Sequence, residues 1–202
     1  MGESVESVHL KGAAQKGVVS GIEHALRARG WTDANPANLD PEDLVAGVYR
    51  AFYVAPEQDG WVSFFPNRWD SDVVAEISRL LSCPVLMLTL VEEGAFLYHF
   101  FQKGALADTY KSDVGYLDLD GVTEQDQLAA RADTQALSPV LPAPEAAGEI
   151  DGLLNAAERP PGAQLAEGLA RILRIARWRE TYTTLAVSDA RRECAHVAFR
   201  KR

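Results

Sequence analysis

Residues 84–110, PVLMLTLVEEGAFLYHFFQKGALADTY, decide how this chain folds. The stretch opens on an apolar run from Val85 to Val91 with Thr89 as its one polar member. It crosses Glu92, Glu93 and Gly94 and turns aromatic around a single histidine, His99. Three readings compete: a membrane anchor, a buried hairpin, or the wall of a ligand site. A membrane span needs about 18 or more apolar residues. The run here is far shorter and is cut by two glutamates, so it anchors nothing.

As strands the stretch makes sense. An apolar run without alternation suits a strand covered on both faces. After the turn, Phe96, Tyr98 and Phe100 point one way, and Leu97, His99 and Phe101 the other. Lys103–Gly104 supplies a second turn, and ALADTYKS a third strand.

Working outward, DSDVVAEISRLLSCP reads as a helix. Asp70 or Ser71 caps it, Val73, Val74, Ile77, Leu80 and Leu81 form its apolar stripe, and Pro84 stops it. Upstream, GVYRAFYVAPEQDGWVSFFPNRW reads as a hairpin with its turn at Pro56–Gly60. ESVHLKG gives a short first strand. AAQKGVVSGIEHALRARGW gives a helix with Val18, Ile22, Ala25, Leu26 and Arg29 at helical spacing and a stop at Gly30. Residues 32–46 are a polar, proline-punctuated connection in which Leu39, Leu44 and Val45 make at most a helical turn.

Beyond the meander the composition shifts. Residues 112–160 are rich in proline, alanine and acid, which predicts surface turns and short helices. PGAQLAEGLARILRIARWRETYTTLAV is helical again, with Leu165, Leu169, Ile172, Leu173 and Ala176 on one face. ARRECAHVAFRKR ends the chain as a short strand or a second helix. The expected fold is α+β: an antiparallel sheet built from hairpins, helices packed on one face, and a C-terminal helical segment. It divides into a core over 1–111, an acidic connection over 112–160 and a basic segment over 161–202 that packs on the core, one domain in all.

The 202 residues carry a net charge of −9, unevenly placed. Residues 1–111 hold 9 Lys/Arg against 15 Asp/Glu, residues 112–160 hold 2 against 10, and residues 161–202 hold 9 against 4. The acidic middle and basic tail balance each other, and the overall negative charge opposes the phosphate attraction on which nucleic-acid binding depends. No nucleic-acid partner is expected. MGESVESVHLKG lacks a basic-then-apolar leader, and Glu6 stands where a myristoylation signal wants Ser or Thr. The two cysteines, Cys83 and Cys194, make no framework, and Cys83 reads as a buried thiol. The expected location is cytoplasmic, away from membranes.

The motifs of chemistry are weak. GAAQKGVVS at 12–20 has P-loop glycines, but Lys16 precedes Gly17 and two valines follow, so no nucleotide site is expected. His9, His24, His99 and His196 show no metal-ligand spacing, no serine sits in a strained elbow, and Cys83 has no base. Glu92–Glu93 lie at a turn open to solvent. No catalytic residue, metal or cofactor is assigned. Candidate binding residues are the amphipathic rings and nearby polar groups: Trp61, Trp69, Tyr98, His99, Asp108, Tyr110 and Asp113, with Lys111 beside them.

The order of features has a counterpart. A tryptophan-bearing strand precedes an amphipathic helix ending in Leu81–Ser82, then an apolar and an aromatic strand. Gly104, Asp108, Tyr110 and Ser112 follow in the pattern G-x-x-x-D-x-Y-x-S, leading to Tyr116, and Leu169–Ile175 form an LA-x-x-L-x-I helix. Over residues 45–190 this resembles a group of bacterial proteins of uncharacterised function, some of which look like standalone interaction or toxin-immunity modules. The resemblance implies no catalytic residue, and the N-terminal helix and proline-rich connection fall outside its pattern. Two functions remain: a non-catalytic, immunity-like interaction module with a protein partner, or a small-molecule-binding protein or enzyme with a pocket at the aromatic hairpin 95–116.

Overall fold

The structure is a computed structural model that describes residues 4–68, 70–92, 94–113 and 130–201. Its eight strands are β1 (Val5–Lys11), β2 (Trp31–Ala34), β3 (Tyr49–Val54), β4 (Trp61–Pro66), β5 (Val85–Val91), β6 (Ala95–Gln102), β7 (Ala105–Lys111) and β8 (Ala195–Lys201). They form one antiparallel sheet in the order β2-β8-β3-β4-β1-β5-β6-β7. The helices are α1 (Gln15–Arg27), α2 (Pro41–Val45), α3 (Ser71–Leu81), α4 (Ala146–Leu154), α5 (Gly162–Leu173) and α6 (Tyr182–Val187). The fold is α+β, as the sequence predicts.

The opening stretch is the meander β5–β6–β7, with Thr89 opposite Leu97 and His99 opposite Thr109. Its side-chain alternation explains why β5 has no polar face. Val85 and Met87 enter one core with α1 and α3, alongside Val18, Ile22, Val73 and Ile77. Leu86, Leu88 and Leu90 enter a second core with Phe96, Tyr98, Phe100 and the α4–α5 pair, through Ile150, Leu154, Leu165 and Leu169. The first face thus carries the N-terminal helices, and the C-terminal helical segment covers the other.

In α3 the Asp70 side chain accepts from the Val73 amide at 3.1 Å. Ser82 ends the helix in the left-handed region at φ 51°, two residues before the proline. Ser78, not Leu80, takes the fourth buried position of this helix, because its hydroxyl donates to the Cys83 carbonyl at 2.9 Å. Cys83 is buried as expected, and burial pushes its thiol up to about 11.

One strand departs from the sequence reading. Trp31–Ala34 was expected within and beside a connection, yet forms edge strand β2. Four residues with two poor strand formers give no local signal; their partner, β8, lies at the far end of the chain, with Asp33 opposite Phe199. The C-terminal end resolves to strand, inserted between β2 and β3. The connection 112–160 also does more than cross the surface: Leu137, Val140, Ile150 and Leu154 are fully buried. The part of it at 114–129 lies outside the described residues.

One polar group is built into the second face. His9 is fully buried on β1, directly opposite Ser63 on β4. The Ser7 hydroxyl donates to the Trp178 carbonyl at 3.0 Å, so toward His9 Nε2, at 2.9 Å, its oxygen must accept. Nε2 therefore carries the proton, and Nδ1 accepts from Ser63 Oγ at 2.8 Å. Burial lowers the His9 pKa from 6.5 to about 3, so the ring stays neutral. The triad pins the segment after α5 onto the centre of the sheet.

Candidate functional site

The residues singled out in the sequence are placed mostly indoors. Trp61 is buried, and its indole Nε1 donates to the Leu173 carbonyl at 2.8 Å, while Lys11 Nζ lies 4.9 Å from the ring centroid. Tyr98 and Tyr110 are also fully buried and stack on one another with centroids 5.6 Å apart. The Tyr98 hydroxyl donates to Asp108 Oδ2 at 2.5 Å, and the same oxygen accepts from the Asp133 amide at 3.1 Å. The Tyr110 hydroxyl donates to the Leu154 carbonyl at 3.1 Å. Burial raises the pKa of Asp108 and of both tyrosines.

This set is a fastening. It holds residues 132–154 against β6 and β7, helped by Gln102 Nε2 on the Ala136 carbonyl and by Asn155, which both donates to and accepts from the Ala132 backbone. His99 points to the opposite face, half-buried, with its Nδ1 3.0 Å from Thr109 Oγ1. Burial, then Lys111, lowers its pKa. Asp113 is exposed beyond the end of β7, and Trp69 lies outside the described residues. The structure thus brings Trp61, Tyr98 and Tyr110 into one core and leaves His99 and Asp113 apart from it.

The exposed apolar surface is elsewhere. Among the described residues, Val45 and Val187 are each 86% exposed, against 52% for Leu106. The two valines line one groove of about 400 Å³ between α2 and α6, with Pro41, Leu44, Tyr182 and Ala186. A groove of that volume lies within the range of ligand-sized sites.

Both walls are short helices fixed by caps. On α2 the Asp40 side chain accepts from the Glu42 amide at 2.8 Å, and Pro41 occupies the first turn. On α6, Thr181 and Thr184 form a reciprocal capping box. The inner side of α6 is anchored in a third small core, where Leu185 meets Tyr53, Ala55 and Phe65. Tyr182 reaches down to His196, with its hydroxyl 3.1 Å from Nε2. The His196 imidazole stacks on Tyr53 at 4.1 Å between centroids. Burial raises the Tyr182 pKa and lowers that of His196, so both are neutral at neutral pH. Asn67 closes the floor, its amide fixed between Ala51 N and the Tyr49 carbonyl.

Sequence reasoning passed over this groove. Its signal was faint: Leu44–Val45 after a capping aspartate, and Val187 at the end of a capped turn, each an aliphatic residue in a helix too short to show periodicity. Among the described residues no cluster of His, Cys, Asp and Glu is arranged to hold a metal ion, and no helix is long and apolar enough to cross a membrane. No protein-family model, no curated protein and no solved structure matches the chain.

Proposed function

We propose that this protein is a non-catalytic interaction module that receives a protein partner in the α2–α6 groove. One observation carries the reading: two valines, one from each wall, stand 86% exposed over an apolar groove whose walls are rigidly capped. A solvent-facing valine gains nothing from folding, whereas two on one concave surface supply the apolar centre that interfaces need. The use of the polar side chains points the same way. His9, His99 and His196 are engaged with Ser63, Thr109 and Tyr182, and the Tyr98–Asp108 pair fastens a chain segment. An immunity-like role, which the sequence resemblance implies, is one form of such a module.

The test is site-specific photocrosslinking in cells. A photoreactive residue at position 187 should yield one defined adduct, absent when Val45→Asp is added and absent when the probe sits at position 149 on α4. The Val45→Asp variant should keep the wild-type unfolding midpoint. Adducts that do not differ between positions 187 and 149 would refute the proposal.

A further inference from the structure

We infer that the partner segment is amphipathic and cationic: two or three apolar side chains for the groove, flanked by lysine or arginine. The inference rests on the interaction reading above and adds the chemistry of the partner. It follows from the charges along the two walls. Beside the α2 residues that line the groove, Pro41, Leu44 and Val45, stand three carboxylates, Asp40, Glu42 and Asp43, with no cation between residues 40 and 46. The α6 wall, residues 181–188, carries no formal charge at all.

Three arginines border the groove, Arg68 after α2 and Arg191 and Arg192 after α6. The Arg68 guanidinium lies against Gly47 so closely that a Cβ there would stand 2.5 Å from it. Arg191 donates to the Ala186 carbonyl, and Arg192 pairs with Asp189 at 3.1 Å. Glu193 adds a further carboxylate beyond α6. An apolar cleft with an acidic rim selects a partner of opposite sign, because a like charge held at the rim is repelled at every approach. The acid on α2 also serves the helix, where Glu42 and Asp43 occupy the first turn. That local role does not require the α6 wall to be free of charge, nor the five carboxylates around the groove, Asp40, Glu42, Asp43, Asp189 and Glu193, to outnumber the three arginines.

The experiment uses three fluorescent amphipathic peptides with one leucine face and a polar face of lysine, glutamine or glutamate. Each is titrated against the full chain by anisotropy. The lysine peptide should bind at least ~10-fold more tightly than the glutamate peptide at low salt, the gap narrowing as salt is added. Val187→Asp should weaken the lysine peptide by ~10-fold or more even though it adds negative charge. Glu42→Gln with Asp43→Asn should weaken it several-fold and leave the glutamine peptide unchanged.

If all three peptides bind alike and Val187→Asp releases them, the groove is a docking surface and the charge inference is wrong. If the lysine peptide binds Val187→Asp as well as wild type, the attraction is diffuse charge, and the docking reading falls with the inference. A chain that self-associates through Val187, with no peptide able to compete, would also overturn it in favour of a second copy as occupant.

Discussion

Replacing His9 should remove a specific part of this protein's acid sensitivity. His9 is fully buried, and its pKa falls from 6.5 to about 3. Between those values the unfolded chain binds a proton that the folded chain refuses, so the unfolded state gains as pH falls. The contribution is zero above pH 6.5, where both states are neutral, and grows by about 1.4 kcal/mol per pH unit below it. Over the full window from 6.5 to about 3 it reaches about 5 kcal/mol, comparable to the whole stability of many domains.

The assay is urea unfolding across this acidic range for wild type and His9→Gln. Glutamine keeps one donor for Ser7 and one acceptor for Ser63. It should cost about 1–3 kcal/mol at neutral pH through imperfect hydrogen bonds. Its stability should then fall less steeply with acid, so that the two curves converge. His99 and His196, whose pKa values burial also lowers, slope in the same direction as His9. Asp108 and Glu6, whose pKa values burial raises, bind more protons folded than unfolded and slope the opposite way. All four are present in both proteins and cancel in the difference. Parallel curves would show that the His9 ring titrates in the folded state and that the neutral triad is misassigned.

Other substitutions test the packing. Gly162→Ala should destabilise by about 1–3 kcal/mol, because its Cβ would lie 2.5 Å from the Gly94 carbonyl oxygen and 2.9 Å from the Ala95 carbonyl carbon, backbone atoms that cannot swing aside as a side chain can; a wild-type thermal midpoint would contradict this. Leu169→Ala should cost about 2–5 kcal/mol and Leu80→Ala less, since Leu169 is fully buried and Leu80 only partly; equal costs in denaturant would contradict the burial pattern. Asp108→Ala should speed hydrogen exchange at Asp133–Ala136 with little change in β5, because it removes the acceptor of the Asp133 amide; unchanged exchange would show that Asp108 does not fasten this segment.

How much of this was legible follows the range of the signal. The meander of β5, β6 and β7 was readable because period-two alternation and turn residues are local, and the capped α3 helix for the same reason. The edge strand β2 was not, because WTDA is strand only through pairing with β8, some 160 residues away. Leu80 fits the helical spacing, but a serine able to bond the Cys83 carbonyl took the buried position. The aromatic group at Trp61, Tyr98 and Tyr110 was visible as a cluster in composition, yet its burial depends on α4 and α5 closing over it. The groove needed three distant pieces, α2, Asn67 and α6, and no window of sequence holds them together.

The most direct measurement is a backbone NMR titration of the labelled chain with the lysine-faced peptide. Docking at α2 and α6 predicts shift changes at Leu44, Val45, Ala186 and Val187, fading toward β6 and β7. Changes centred on Tyr98, His99 and Tyr110, with the two valines silent, would place the site at the aromatic hairpin and contradict the account.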